Sequence, residues 1–185
     1  LGKYAPFHQG HAFLINHALT MVDHLVVVIY PCDELAVPLK KRANWIRSMF
    51  PQVEVIEAIN GPKDTGYSAQ VIDIQNAFLR ELLADYCFDY FFSSEAYGDH
   101  VSKALNCRDI RVDMSRQKVP ISATKIRHSP IKYKRFLSNK VYKDLISKIV
   151  FLGAPSTGKS TLCQALAEKY KTGWVKEYGR DYWQE

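Results

Sequence analysis

Two histidines three residues apart, His8 and His11, stand at the mouth of a helical pattern and are the side chains best placed to do chemistry in this chain. From Gly10 onward Ala12, Phe13, Ile15, Leu19 and Met21 or Val22 recur at roughly helical spacing. A helix N-terminus carries unpaired amides and the positive end of the macrodipole, which favours an anion there. Residues three apart share a face, so two imidazoles can hydrogen-bond the oxygens of one phosphate. Upstream, Gly2 lets the backbone turn close to a ligand, and Pro6 fixes the loop. The competing reading is two ordinary surface histidines or part of a metal site. A metal needs at least a third ligand, and no nearby cysteine or carboxylate offers one.

A second constellation runs Ile121-Ser122-Ala123-Thr124-Lys125-Ile126-Arg127. Ser122 and Thr124 sit where a helix can begin, as caps or as phosphate ligands. Arg127, one turn on, has the fork that clamps beta and gamma phosphates. A third is the run Gly153-Ala154-Pro155-Ser156-Thr157-Gly158-Lys159-Ser160, a full G-x-x-x-x-G-K-[ST] followed by Thr161. Its backbone amides would cradle a triphosphate, Lys159 would reach the beta and gamma phosphates, and Ser160 would bind magnesium.

The elements that must position these groups alternate. The run 24–30 reads as a strand buried on both faces, ended by Pro31. A helix over 38–50, a strand over 53–59, a helix over about 68–83, a strand over 89–93, a helix over 95–105 and a strand over 110–112 are expected in turn. Such alternation predicts a parallel sheet covered on both faces, with ligands outside the carboxyl ends of its strands. Residues 131–147 read as a helical bridge, and 148–152 as a strand leading into the third motif. The expected organisation is therefore an α/β fold in two parts, residues 1–147 and 148–185.

At 185 residues with 47% hydrophobic side chains, the chain can bury one medium core and part of a second. It holds no apolar run long enough for a membrane span and no secretory leader, so it reads as cytoplasmic. The four cysteines are too scattered for a zinc or redox pair and read as free thiols. A net charge of +6 suits nucleic acid or phosphate-rich small molecules equally. Without a recognition helix or a base-stacking sheet, nucleic acid is not expected as a partner.

The first motif, Gly2-Lys3-Tyr4-Ala5-Pro6-Phe7-His8-Gln9-Gly10-His11, resembles the first signature of the nucleotidyltransferase superfamily, and the motif at Ile121–Arg127 resembles its second. A nucleotidyltransferase followed closely by a P-loop resembles the bifunctional nicotinamide-nucleotide adenylyltransferase and ribosylnicotinamide kinase of bacteria. The stretch Glu177-Tyr178-Gly179-Arg180-Asp181-Tyr182 resembles the kinase part of that family. The resemblance implies a Rossmann-like sheet followed by the start of a P-loop kinase domain. It also implies transfer of AMP from ATP to nicotinamide mononucleotide with magnesium. His8, His11 and Arg127 would be catalytic, and Gly2, Lys3, Tyr4, Gly10, Ser122 and Thr124 would hold the triphosphate.

Trp45, flanked by Arg42 and Arg47, would stack on a pyridinium while the basic groups take its phosphate. A tryptophan on an amphipathic helix is otherwise a core residue. Glu95 and Tyr97, just after a strand, would face ribose hydroxyls. Other phosphorylated acceptors, such as phosphopantetheine or a sugar phosphate, and a ligand-sensing or nucleic-acid-binding regulator are the alternatives. We expect a fragment of a longer protein, whose short second unit does not phosphorylate by itself. A homo-oligomer is left open.

Overall fold

The apolar run after the first helix becomes β1 (Val26–Ile29), the strand on which the first unit is built. In this computed structural model residues 1–64 and 66–176 are described. The chain divides into one unit of Leu1–Ile146 and a second that begins at Ser147.

In the first unit β1 pairs in parallel with β2 (Glu54–Glu57), Val26 opposite Glu54 and Ile29 opposite Glu57. β3 (Tyr90–Ser93) pairs in parallel with β4 (Arg108–Arg111). Gly2 adds a parallel bridge to Ile29: its N–H donates to Val28 O, and its carbonyl accepts from Tyr30 N, each at 3.0 Å. The expected first strand is present as that single bridge.

Between the strands lie α1 (Gln9–Leu19), α2 (Leu39–Met49), α3 (Ala69–Leu82) and α4 (Gly98–Ala104). α5 (Ala123–His128) and α6 (Asn139–Leu145) follow, separated by a 3-10 turn at Lys134–Phe136. Serine hydroxyls start three of these helices: Ser68, Ser122 and Ser138 each accept the amide three residues on. The fourth expected helix begins at Gly98 rather than Glu95. Ser93 Oγ and the Arg111 guanidinium both donate to Glu95 O, which fixes residues 95–97 as a loop instead of a first helical turn.

One core cluster explains why sequence-distant motifs meet. Tyr4 and Phe7 from the first motif and Ile121 and Ile126 from the second are buried together with Val27, Ile29, Trp45 and Ile46. Removing that much apolar surface from water is the main force drawing residues 4–7 and 121–126 onto one another.

In the second unit α7 (Lys159–Lys169) follows the glycine-rich loop. The expected strand over 148–152 is absent among the described residues. Ile149, Val150 and Leu152 are 76%, 74% and 88% exposed, and a strand exists only where its backbone groups find a partner. The stretch Glu177–Tyr182 lies outside the described residues. No helix among the described residues is long and apolar enough to cross a membrane.

Candidate active site

His8 is the N-cap of α1, in extended backbone, and its Nδ1 accepts the Gly10 amide at 3.1 Å. The His8 N–H in turn donates to Nδ1 of His11 at 3.3 Å. This reciprocal cap brings the rings into a stack with centroids 3.8 Å apart and planes 18° apart. It also fixes the tautomer of each ring. With Nδ1 of both imidazoles accepting a backbone N–H, the proton of each neutral ring is on Nε2, which is a donor.

Both rings are held neutral well below the ordinary imidazole range. Burial pushes His8 down to about 4, with the Arg116 guanidinium adding to it. Burial acts first on His11 as well, followed by His8 and Arg116. Tyr4 supports the pair from behind, edge-on to His11 at 4.8 Å. Gly10 is required for closeness: a Cβ there would lie 3.0 Å from His8 Cε1 and 3.1 Å from its Nδ1.

The pair opens onto a cleft of about 290 Å³. The start of α5, with Ser122, Ala123 and Thr124, also lines it, as do Ser94, Glu95, Asp113 and Arg116 in the loops after β3 and β4. All three contributions lie at carboxyl ends of strands or at helix N-termini. Ser122 caps α5 by accepting the Lys125 amide at 3.3 Å. The Arg127 guanidinium, one turn along, donates to Ala5 O at 2.5 Å and to Thr124 Oγ1 at 3.1 Å. It therefore ties the first motif to the second.

Several expected ligand residues have other work. Tyr4 is 5% exposed, and its hydroxyl is pushed upward in pKa by burial, so it is part of the core. Gly2 uses its backbone in the pairing to β1. Lys3 forms an ion pair with Glu34 at 2.5 Å. Trp45 is 1% exposed, and its indole N–H donates to Asp144 at 2.8 Å, so no face of the ring is open to a pyridinium. Arg42 is equally buried, donating to Val37 O and Tyr30 O and to Lys3 O, and it binds loops rather than a phosphate. Arg47 donates to Glu57 at 2.6 Å and to Val55 O. The face of α2 carrying Arg42 and Trp45 packs inward because Ala43 and Ile46 share it, while Arg47 stays partly exposed.

Glu95 does line the cleft, where its carboxylate accepts from Arg116 at 3.1 Å. Tyr97 does not line it: its hydroxyl donates to Leu1 O at 3.0 Å and its ring packs in the core beside Phe91. Arg116 and Asp113 are the site residues that motif reading missed. Asp113 accepts the amides of Gln117, Lys118 and Val119 and so shapes the loop that presents Arg116. An aspartate followed by a serine and a basic residue just ahead of Ile121 is the turn signal that marks this loop in the sequence.

In the second unit Gly153 and Gly158 adopt φ of 157° and 79°, conformations that favour glycine. Lys159 Nζ donates to Ala154 O at 2.6 Å, as does Thr157 Oγ1 at 2.9 Å, so the loop is closed upon its own carbonyl. Ser156, itself at φ 62°, shares that loop, and Ser160 and Thr161 lie in the first turn of α7.

A parallel α/β framework that aims a neutral imidazole pair and a hydroxyl-bearing helix N-terminus into one cleft defines a domain of the nucleotidyltransferase kind. The chain belongs to the cytidylyltransferase-like family, whose model matches residues 1–129. Residues 148–185 match a model described as an AAA domain. The chain is 27% identical to the trifunctional NAD biosynthesis/regulator protein NadR of Escherichia coli and 29% identical to that of Salmonella typhimurium. Each alignment covers 98% of this chain and 48% of the relative, so the chain spans about half the length of these relatives. Among solved structures it resembles a NadR protein in complex with NAD and AMP-PNP, at 26% identity and a TM-score of 0.67, over 98% of this chain and 55% of that one. A second NadR structure, in complex with NR, shares the fold at 24% identity and a TM-score of 0.63, over 98% of this chain and 53% of that one.

Proposed function

We propose that the first unit transfers AMP from ATP to nicotinamide mononucleotide, forming NAD and pyrophosphate. The observation that carries this reading is that one cleft is lined by His8 and His11 from the first motif and by Ser122 and Thr124 from the second. An oxygen of the acceptor phosphate attacks the alpha-phosphorus, the bond to the bridging oxygen breaks, and pyrophosphate leaves with that electron pair. No side chain becomes covalent. The protein has to align the two phosphates and offset charge as it builds up. Nε2–H of His8 and of His11 donates to phosphate oxygens, the open end of α5 supplies amides and hydroxyls, and Arg127 stands beside them.

Because the imidazoles are neutral donors, they act by hydrogen bonding and give up no proton in the step. Magnesium would arrive with the triphosphate: no group of three metal-ligating side chains occurs among the described residues, and Ser160 offers one hydroxyl to a nucleotide-borne ion in the second unit. With Trp45 in the core, the choice of nicotinamide mononucleotide rests on the NAD biosynthesis relatives and on the NAD-bound NadR structure. The P-loop unit would serve phosphorylation of ribosylnicotinamide, the activity that the resemblance implies for it.

The test is an acceptor panel with ATP and magnesium, following pyrophosphate. Nicotinamide mononucleotide should give NAD and the fastest release, and His11→Ala should lower it on the order of a hundredfold. Faster release with phosphopantetheine or a sugar phosphate would replace the acceptor. No release with any acceptor would end the transferase reading.

A further inference from the structure

The cation nearest in effect to the histidine pair is Arg116, which none of the recognised motifs contains. It lines the same cleft as the imidazoles and Glu95, and its charge bears on both rings. The chain goes to some length to put it there. Arg116 and Asp113 both have positive φ, 53° and 49°, a backbone that L side chains adopt only where surrounding contacts demand it. The Asp113 carboxylate supplies those contacts by holding the following amides, and Arg116 N–H donates to Asp113 O at 2.8 Å.

The backbone that carries the partner of Arg116, Glu95, is also held. Glu95 O accepts from Ser93 Oγ and from Arg111, and Arg111 also reaches Asp109 at 2.5 Å and Asp99 at 2.7 Å. Gly98 allows this clamp to close, since a Cβ there would lie 2.5 Å from Ser93 Oγ and 2.8 Å from Asp109 Oδ1. The backbone of Glu95 is thus fixed while its carboxylate meets the Arg116 guanidinium at 3.1 Å within the lining of the cleft. The pair is open to solvent, 43% for Arg116 and 52% for Glu95, so its bond is weak and exchangeable.

We propose that Arg116 is a phosphate ligand of the transferase site and that Glu95 is its positioning residue, holding the guanidinium until a nucleoside triphosphate displaces the carboxylate. This rests on the transferase reading and adds to it a third charged contact. A phosphate with more than one charge and a bidentate geometry outcompetes a single solvated carboxylate oxygen. Glu95 therefore lowers affinity for the nucleotide while keeping Arg116 aimed. That role differs from contact with ribose.

The experiment measures ATP affinity by equilibrium titration in the full chain carrying Lys159→Ala, which removes the P-loop lysine from the signal. Against that parent, Arg116→Ala should weaken ATP on the order of tenfold or more, and Glu95→Gln should tighten it by about threefold. In the Arg116→Ala background Glu95→Gln should have no effect, a coupling that a purely structural role would not produce. ATP bound within twofold of the parent by Arg116→Ala, or a Glu95→Gln effect that survives loss of Arg116, overturns the proposal. Because binding is read without an acceptor, these outcomes stand apart from the pyrophosphate assay: transfer can fail while the coupling holds, and the reverse.

Discussion

The guanidinium of Arg127 donates to the backbone carbonyl of Ala5 at 2.5 Å, across 122 positions of sequence. Its other terminal nitrogen reaches Thr124 Oγ1. One side chain thereby holds the loop that carries the histidines against the helix that carries the hydroxyls.

Lysine keeps the charge of Arg127 and loses the fork. Arg127→Lys should lower kcat/KM for transfer by about tenfold or more, since an ammonium cannot serve the carbonyl, the hydroxyl and a phosphate together. Steady-state kinetics with ATP varied checks it, and an unchanged kcat/KM would mean that the tie is dispensable.

The histidine pair makes a prediction about pH. The pKa of His8 falls from the ordinary 6.5 to about 4 in the folded chain, so between those values the unfolded chain binds the proton that the folded one refuses. Stability from this source is complete above pH 6.5 and is lost as pH falls toward 4. His11 acts in the same direction, as does His100, whose burial also lowers its pKa. Denaturant midpoints should fall between pH 7 and pH 4.5, and His8→Asn should flatten part of that fall. Transfer rates at saturating substrate should show no imidazole titration between pH 6 and 8. A midpoint near 6.5 in kcat would contradict neutral donors.

Trp45→Phe should affect stability and leave substrate use alone. The indole N–H bonds Asp144, which also pairs with Lys41 at 2.8 Å, so the loss removes one donor from a shared acceptor and costs about 1–3 kcal/mol. The KM for nicotinamide mononucleotide should stay within twofold. A large rise confined to that KM would restore Trp45 as an acceptor contact.

Gly10→Ala separates geometry from stability. Alanine favours the helix by up to about 1 kcal/mol over glycine, yet its Cβ would press on the His8 ring at 3.0 Å. The thermal midpoint should change little while kcat drops about tenfold or more, the cost of displacing a donor. Full activity would show that the ring can shift without loss.

The alternation of strands and helices was legible because each element carries its own period, and the stretches that meet at the cleft could be singled out because each is contiguous. Other features depended on contacts that a linear reading does not contain. The side on which Trp45 falls is decided by Ala43 and Ile46 beside it and by Asp144 far along the chain. Arg116 is one basic residue among many until the Asp113 loop and Glu95 place it. Residues 148–152 have the composition of a strand, but pairing is a property of neighbours, and none of the described residues provides it.

Whether the two motifs serve one triphosphate can be read directly by following the imidazole nitrogens of His8 and His11 and the side-chain nitrogens of Arg127 by NMR. The titrant is an ATP analogue whose alpha–beta bridge cannot be cleaved, and the chain carries Lys159→Ala. The account predicts that Nε2 of both histidines and the Arg127 guanidinium shift together, with one midpoint. Histidine nitrogens that stay in place, or that move at a different concentration from Arg127, would contradict it.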